Sequence, residues 1–180
     1  PLSDDSLISS KIPPSNLDAE RGILGAILLE NKAIYSTGIE PGDFYLESHR
    51  ILYQVMLDLA LDSKPIDYLS VLEELNRAGK TDVVGGPVAL MQLTEGLPRG
   101  INIAHYGSIV RKKASLRRLV SLGNELILRA YGNSEDPSEI MERVVGDLFK
   151  IESREVSSMW VSLSDVVTRV YKETEEIASR

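Results

Sequence analysis

Apolar residues recur at three- and four-residue spacing through most of the chain, and no convincing period-two alternation appears, so the pattern predicts an all-α protein. The longest such stretch is 102–153. Asn102 is a good N-cap, and behind it Tyr106, Ile109, Leu116, Val120, Gly123, Ile127 and Tyr131 share one face of a single long helix. The run 132–137 (GNSEDP) breaks that helix. Asp136 then caps a return helix with Pro137 in its first turn and a stripe of Ile140, Val144, Leu148 and Ile151. The two stripes are expected to close on each other as an antiparallel helical hairpin.

Closing those stripes leaves apolar side chains over. Leu119, Leu122 and Leu126 form a second seam around the back of the first, and Phe149 lies opposite its own helix's stripe. Leaving one such side chain in water forgoes roughly 1.5 to 3 kcal/mol. Leu119, Leu122, Leu126 and Phe149 are therefore the expected subunit interface, with packing on the rest of the chain as the alternative.

The remaining pattern divides the chain into 1–14, a flexible arm ending in a double proline; 15–97, a compact helical globular head; 98–155, the hairpin; and 156–180, a connector and linker helix. In the head, SNLD at 15–18 fits a capping box opening a helix with Leu17, Leu24, Ile27 and Leu28 on its face. Gly22 and Gly25 inside it cost up to about 1 kcal/mol each against alanine, which suggests a close neighbour. A short helix over 33–37, one over 48–61, one capped by Asp67 with Leu69, Leu72 and Leu75, and one after Pro87 with Val88, Met91 and Leu93 complete a cluster of about five. The final helix carries Leu163, Val166, Val167, Val170 and Ile177, a regular stripe with nothing obvious in the chain to cover it, as expected if a further domain receives it.

Composition changes this picture little: 180 residues, 43% hydrophobic and 26% charged, are ordinary for a globular protein. The absence of cysteine removes disulfide frameworks and thiol nucleophiles; with no apolar run long enough to span a bilayer and no signal peptide, the chain reads as cytoplasmic, without membrane contact. Charge changes more. A net charge of -7 disfavours a self-sufficient nucleic-acid binder. Yet no acid lies between Glu95 and Glu125, where Arg99, Arg111, Lys112, Lys113, Arg117 and Arg118 supply positive charge. Either this is a solvated face paired with Glu139, Glu142, Asp147 and Glu152, or it is a wall facing nucleic acid.

No catalytic constellation is present in the sequence. Gly85 and Gly86 are followed by Pro87, without the Gly-Lys-Ser/Thr ending of a phosphate loop, and His49 and His105 are isolated from metal-ligand spacings. No catalytic, cofactor-binding or metal residue is assigned. A third class, an enzyme with an irregular site, has nothing to support it.

Several motifs resemble, in order, the N-terminal portion of the bacterial hexameric replicative DNA helicases of the DnaB type. They are PPSNLDAE at 13–20 with ILGAIL at 23–28, DFY at 43–45, SHR at 48–50, PID at 65–67, VGG at 84–86, and Asn102 and Ile103 with Tyr106, Ile109 and Val110. The resemblance covers nearly the whole chain. It implies a helical head, a hairpin that pairs with a neighbour's hairpin, and a linker helix docking through Leu163, Val166, Val167, Val170 and Ile177 on an adjacent subunit's motor. Six heads would form a collar, a trimer of dimers, that receives primase and a helicase loader. Single-stranded DNA would meet Arg111, Lys112, Lys113, Arg117 and Arg118 weakly, or only in the ring. ATP and Mg would belong to the motor, whose phosphate loop this sequence lacks, so no ATPase or unwinding activity carries over. One departure is Gly146, between Val145 and Asp147, where the family has an alanine-acid pair; a glycine weakens the return helix there.

Overall fold

A computed structural model describes residues 12–98, 100–132 and 135–153, and all regular structure among them is helical. The helices are α1 (Leu17–Leu29), α2 (Glu47–Leu61), α3 (Tyr68–Arg77), α4 (Gly86–Gln92) and α5 (Ile103–Gly132). Two 3₁₀ helices, Asn31–Ser36 and Pro41–Asp43, join α1 to α2, and residues 137–153 form α6. The linker-helix stripe from Leu163 to Ile177 and Arg99 lie outside the described residues.

Two compact units divide between Arg117 and Arg118, inside α5. The first unit therefore extends well past residue 97, where the breakers place the end of the head. The reason is the first half of α5, whose Gly107, Val110 and Ala114 are buried. Gly107 is the point of closest approach: a Cβ there would collide with the carbonyl oxygen of Thr37.

Within this unit the core is centred on Ile23, Leu24, Ile27, Phe44 and Met56, none of which has any solvent exposure. Asn16, rather than Ser15, caps α1, its Oδ1 accepting the Ala19 amide at 2.9 Å. The close neighbours expected of Gly22 and Gly25 are present: a Cβ on Gly22 would lie 2.7 Å from the Tyr106 ring, and one on Gly25 would meet the Leu93 carbonyl and Leu97. Asp67 caps α3 through the Ser70 amide at 2.8 Å, and Gly79 ends that region with φ +64. The buried faces of the short helices differ from the leucine stripes read in the sequence. In α3 the core residues are Val71 and Leu75 while Leu69 is exposed; in α4 it is Leu90, with Val88 and Met91 exposed. Helices of two or three turns carry too few positions for periodicity to choose between adjacent faces.

The second unit is the hairpin of late α5 and α6. Here one expectation is corrected. Leu122, Leu126 and Arg129 face Ile140, Arg143, Val144 and Asp147, so part of the supposed outer seam is the seam that closes the hairpin. Ile140 is the buried residue of this contact. The stripe expected to close it is left open, with Val120 50%, Ile127 49% and Tyr131 86% exposed. Charge decides between the two seams. Glu125 and Arg129 share the face of Leu122 and Leu126, and Arg129 donates to Glu135 at 2.8 Å while Arg143 lies 4.0 Å from the same carboxylate. The Val120, Ile127 and Tyr131 face carries no charge to match.

Candidate functional site

The open side of the hairpin is formed by both helices. At about 100° per residue, Val120, Gly123, Ile127 and Tyr131 lie between roughly 100° and 180° beyond Leu122 in the direction of the chain. On α6, Met141, Val145, Leu148 and Phe149 lie between roughly 80° and 180° beyond Ile140 in the same sense. The helices run in opposite directions, so equal senses of rotation carry both sets to the same side. Met141, Val145, Leu148 and Phe149 are 62%, 65%, 43% and 68% exposed. The result is one broad apolar side, uncharged from Leu119 to Tyr131 on α5, with Glu142 at its edge on α6 and Glu152 at its far end. Of the four sequence candidates, Leu119 and Phe149 border this side, whereas Leu122 and Leu126 lie in the closing seam.

The polar edge of the closing seam is an ion-pair network. Arg129 donates to Glu125 at 2.6 Å and to Glu135 at 2.8 Å, and hydrogen bonding to Glu125 is the main influence raising its pKa further. Farther along α6, Lys150 lies 2.8 Å from Asp147 and holds that carboxyl below the usual carboxylate range. The bonds to Glu125 and Asp147 are exposed and that to Glu135 is half-buried, so each adds little stability. Their value is in fixing which faces meet.

The basic stretch is not one surface. Arg111 donates to the carbonyls of Thr37 and Gly38 at 3.1 and 2.7 Å, at the end of the first 3₁₀ helix, where the helix dipole favours a cation. Arg117 donates to Pro14 at 2.7 Å and to Asp43 at 2.5 Å, and its guanidinium stands 5.7 Å from the centre of the Tyr45 ring. Two of the five candidate DNA contacts thus tie α5 to the head. Lys112 is exposed, and Lys113 and Arg118 are half-buried.

Sequence reasoning missed a buried polar group in the head. Glu20 is 1% exposed and accepts the Tyr45 amide at 2.7 Å, the Leu46 amide at 3.5 Å, and pairs with Nδ1 of His49 at 2.8 Å. It links α1 to the start of α2, whose N-cap position, Leu46, has no capping side chain. The signal was present as a lone acid on the apolar face of α1, with a histidine near the start of the next α-helix. Among the described residues, no group of three or more His, Cys, Asp or Glu is arranged to hold a metal ion, and no helix is long and apolar enough to cross a membrane.

Comparison with known proteins agrees with this architecture. The DnaB-like helicase N terminal domain matches residues 12–112. The chain is 33% identical over 171 residues to the replicative DNA helicase DnaB of Mycobacterium leprae (strain TN), covering 93% of this chain and 28% of that protein. It is 29% identical over 176 residues to the replicative DNA helicase DnaC of Bacillus subtilis (strain 168), covering 97% and 39%. It therefore spans well under half the length of these relatives. Among solved structures, the N-terminal domain of DnaB helicase from Mycobacterium tuberculosis superposes with a TM-score of 0.73 at 35% identity, covering 77% of this chain and 99% of that one. A DnaB-like replicative helicase described with its interactions with primase shares the fold, with a TM-score of 0.63 at 24% identity. With a helical head, a helical hairpin, a family model that matches more than half of the chain and a relative 33% identical over 171 residues, the chain belongs to the DnaB-like helicase N-terminal domain family.

Proposed function

We propose that this chain is the non-catalytic assembly domain of a replicative DNA helicase, in which hairpins pair and heads form a collar on a hexameric motor ring. The observation that carries this reading is the broad apolar side of the hairpin, uncharged along α5. A monomer gains nothing by keeping Val120, Ile127, Met141, Val145 and Phe149 in water, and a chain of net charge -7 approaches its own copy most easily through its least charged face. The interface of this reading keeps Leu119 and Phe149 and replaces Leu122 and Leu126 with Val120 and Ile127. ATP and Mg belong to the motor in this account, and the linker-helix stripe from Leu163 to Ile177 docks on it. The collar would receive primase, in line with the related helicase described with primase, and a helicase loader.

Sedimentation velocity over a wide concentration range tests the pairing. The wild-type chain should self-associate, and Val120→Asp should remain monomeric with unchanged helicity. A monomeric wild type, or a variant that associates equally well, removes the proposal.

A second reading is single-stranded DNA binding, favoured by exposed Lys112 and half-buried Lys113. With Arg111 and Arg117 engaged on the head, this contact is weak in the isolated chain and steeply salt-dependent. Fluorescence titration at two salt concentrations separates it from the first reading: tight binding at high salt would make it the principal function.

A further inference from the structure

We infer that Gly123 is the point at which the hairpin's α5 crosses α5 of a second copy, at a distance that no side chain permits. This rests on the hairpin pairing proposed above and names the residue that sets its geometry. Gly123 sits in the middle of the open side, between Val120 and Ile127, on a helix of 30 residues. A glycine in a helix interior is unfavourable relative to alanine, because the unfolded chain loses more freedom when it is ordered. Nothing in the hairpin requires that glycine. Its φ is not in the left-handed region, and a Cβ built on it meets no atom within 4 Å. The contrast with Gly22, Gly25 and Gly107 is direct, since in each of those a Cβ would collide with a neighbour in the same chain.

The missing Cβ leaves a notch in an otherwise bulky apolar side, flanked by Leu119 and Ile127 one helical turn to either side. A notch of this kind lets a helix backbone approach closely, and its flanking side chains then pack on either side of the visiting helix. The natural visitor is the same notch of another copy, because a two-fold pair brings identical patches together. α5 is uncharged on this side from Leu119 to Tyr131, so the two copies meet without repulsion. Gly146 provides an internal control. It also has open space around a Cβ, but it lies roughly 240° beyond Ile140, away from the open side.

The test compares Gly123→Ala, Gly146→Ala and Val120→Asp in the 180-residue chain. Melting is followed at a concentration where each is monomeric, and association by sedimentation. Both alanine variants should melt higher as monomers, by about 2–4 °C. Gly123→Ala alone of these two should weaken association, by about tenfold or more in Kd. Equal or tighter association of Gly123→Ala overturns the inference, as does a loss of monomer stability in that variant. The underlying pairing is judged separately by Val120→Asp: if that variant associates like the wild type, the face itself is wrong. If it is monomeric while Gly123→Ala pairs normally, the face stands and the crossing point fails.

Discussion

The head and the hairpin are made of the same amphipathic helices, but they end in different states. In the head, large side chains such as Phe44, Tyr53 and Met56 are buried, and among the described residues no buried side-chain nitrogen or oxygen lacks a hydrogen-bond partner. In the hairpin, among the described residues 118–153, Ile140 is the one apolar residue that is buried, and it keeps 8% of its surface exposed. Two helices side by side can each cover one stripe only. A third surface is needed for the rest, and the head's layered packing supplies it where the hairpin's does not. The head thus has a core of its own, whereas the hairpin leaves most of its apolar side chains exposed.

That contrast can be broken first at Glu20. Replacing it by alanine leaves the Tyr45 amide and His49 without their acceptor inside the head, and should destabilise the head by about 3 kcal/mol, read by denaturant unfolding. An effect below about 1 kcal/mol would mean that water replaces the carboxylate and that the head is less closed than described.

The two seams of α5 give the next largest difference. Leu122→Asp puts a carboxylate into the seam facing Ile140 and Val144 and should cost the hairpin about 2 kcal/mol, with loss of amide protection in α6. Val120→Asp, on the open side, should change monomer stability by no more than about 0.5 kcal/mol. Equal effects would mean that both faces are internal.

A smaller effect belongs to Tyr53. Its hydroxyl lies 2.7 Å from that of Thr37, and burial, the leading cause, raises its pKa. The neutral form is favoured in the folded state, so its contribution is intact below the ordinary tyrosine value near 10 and is lost as pH rises through the raised folded value. Tyr53→Phe should cost about 1 kcal/mol at neutral pH and flatten the alkaline fall in stability. An unchanged alkaline limb would assign that fall to other groups.

The sequence made the helical class, most helix boundaries and the caps at Asp67 and Asn102 legible, because each depends on residues adjacent in the chain. It also marked Gly22 and Gly25 as contact points, since a glycine inside a helix asks for a cause. What it could not resolve was which of two apolar seams on α5 meets α6. Both have the correct period, and the discriminating feature is the opposite charges of Arg129 and Glu135 across the turn. The basic run was only partly legible for a related reason. Arg111 and Arg117 have the composition of an anion site, but their guanidinium groups are engaged by backbone carbonyls supplied by segments about seventy or more residues earlier, and these carry no mark in the sequence. Glu20 and His49 each fell inside a quoted motif, at 13–20 and 48–50, but they escaped notice as a pair because 29 residues separate them and no spacing links an acid on one helix to a histidine on the next.

The most direct test of the open side uses the fact that the chain has no cysteine. Ile127→Cys places a thiol on the apolar side, and Ser121→Cys places one on the same helix roughly 120° away from it. The rate of reaction with a maleimide is measured for each as protein concentration rises. The account predicts that the thiol at 127 becomes protected as the chain associates, while the thiol at 121 reacts at a constant rate. Protection at 121 with none at 127, or association that leaves both rates unchanged, would contradict it.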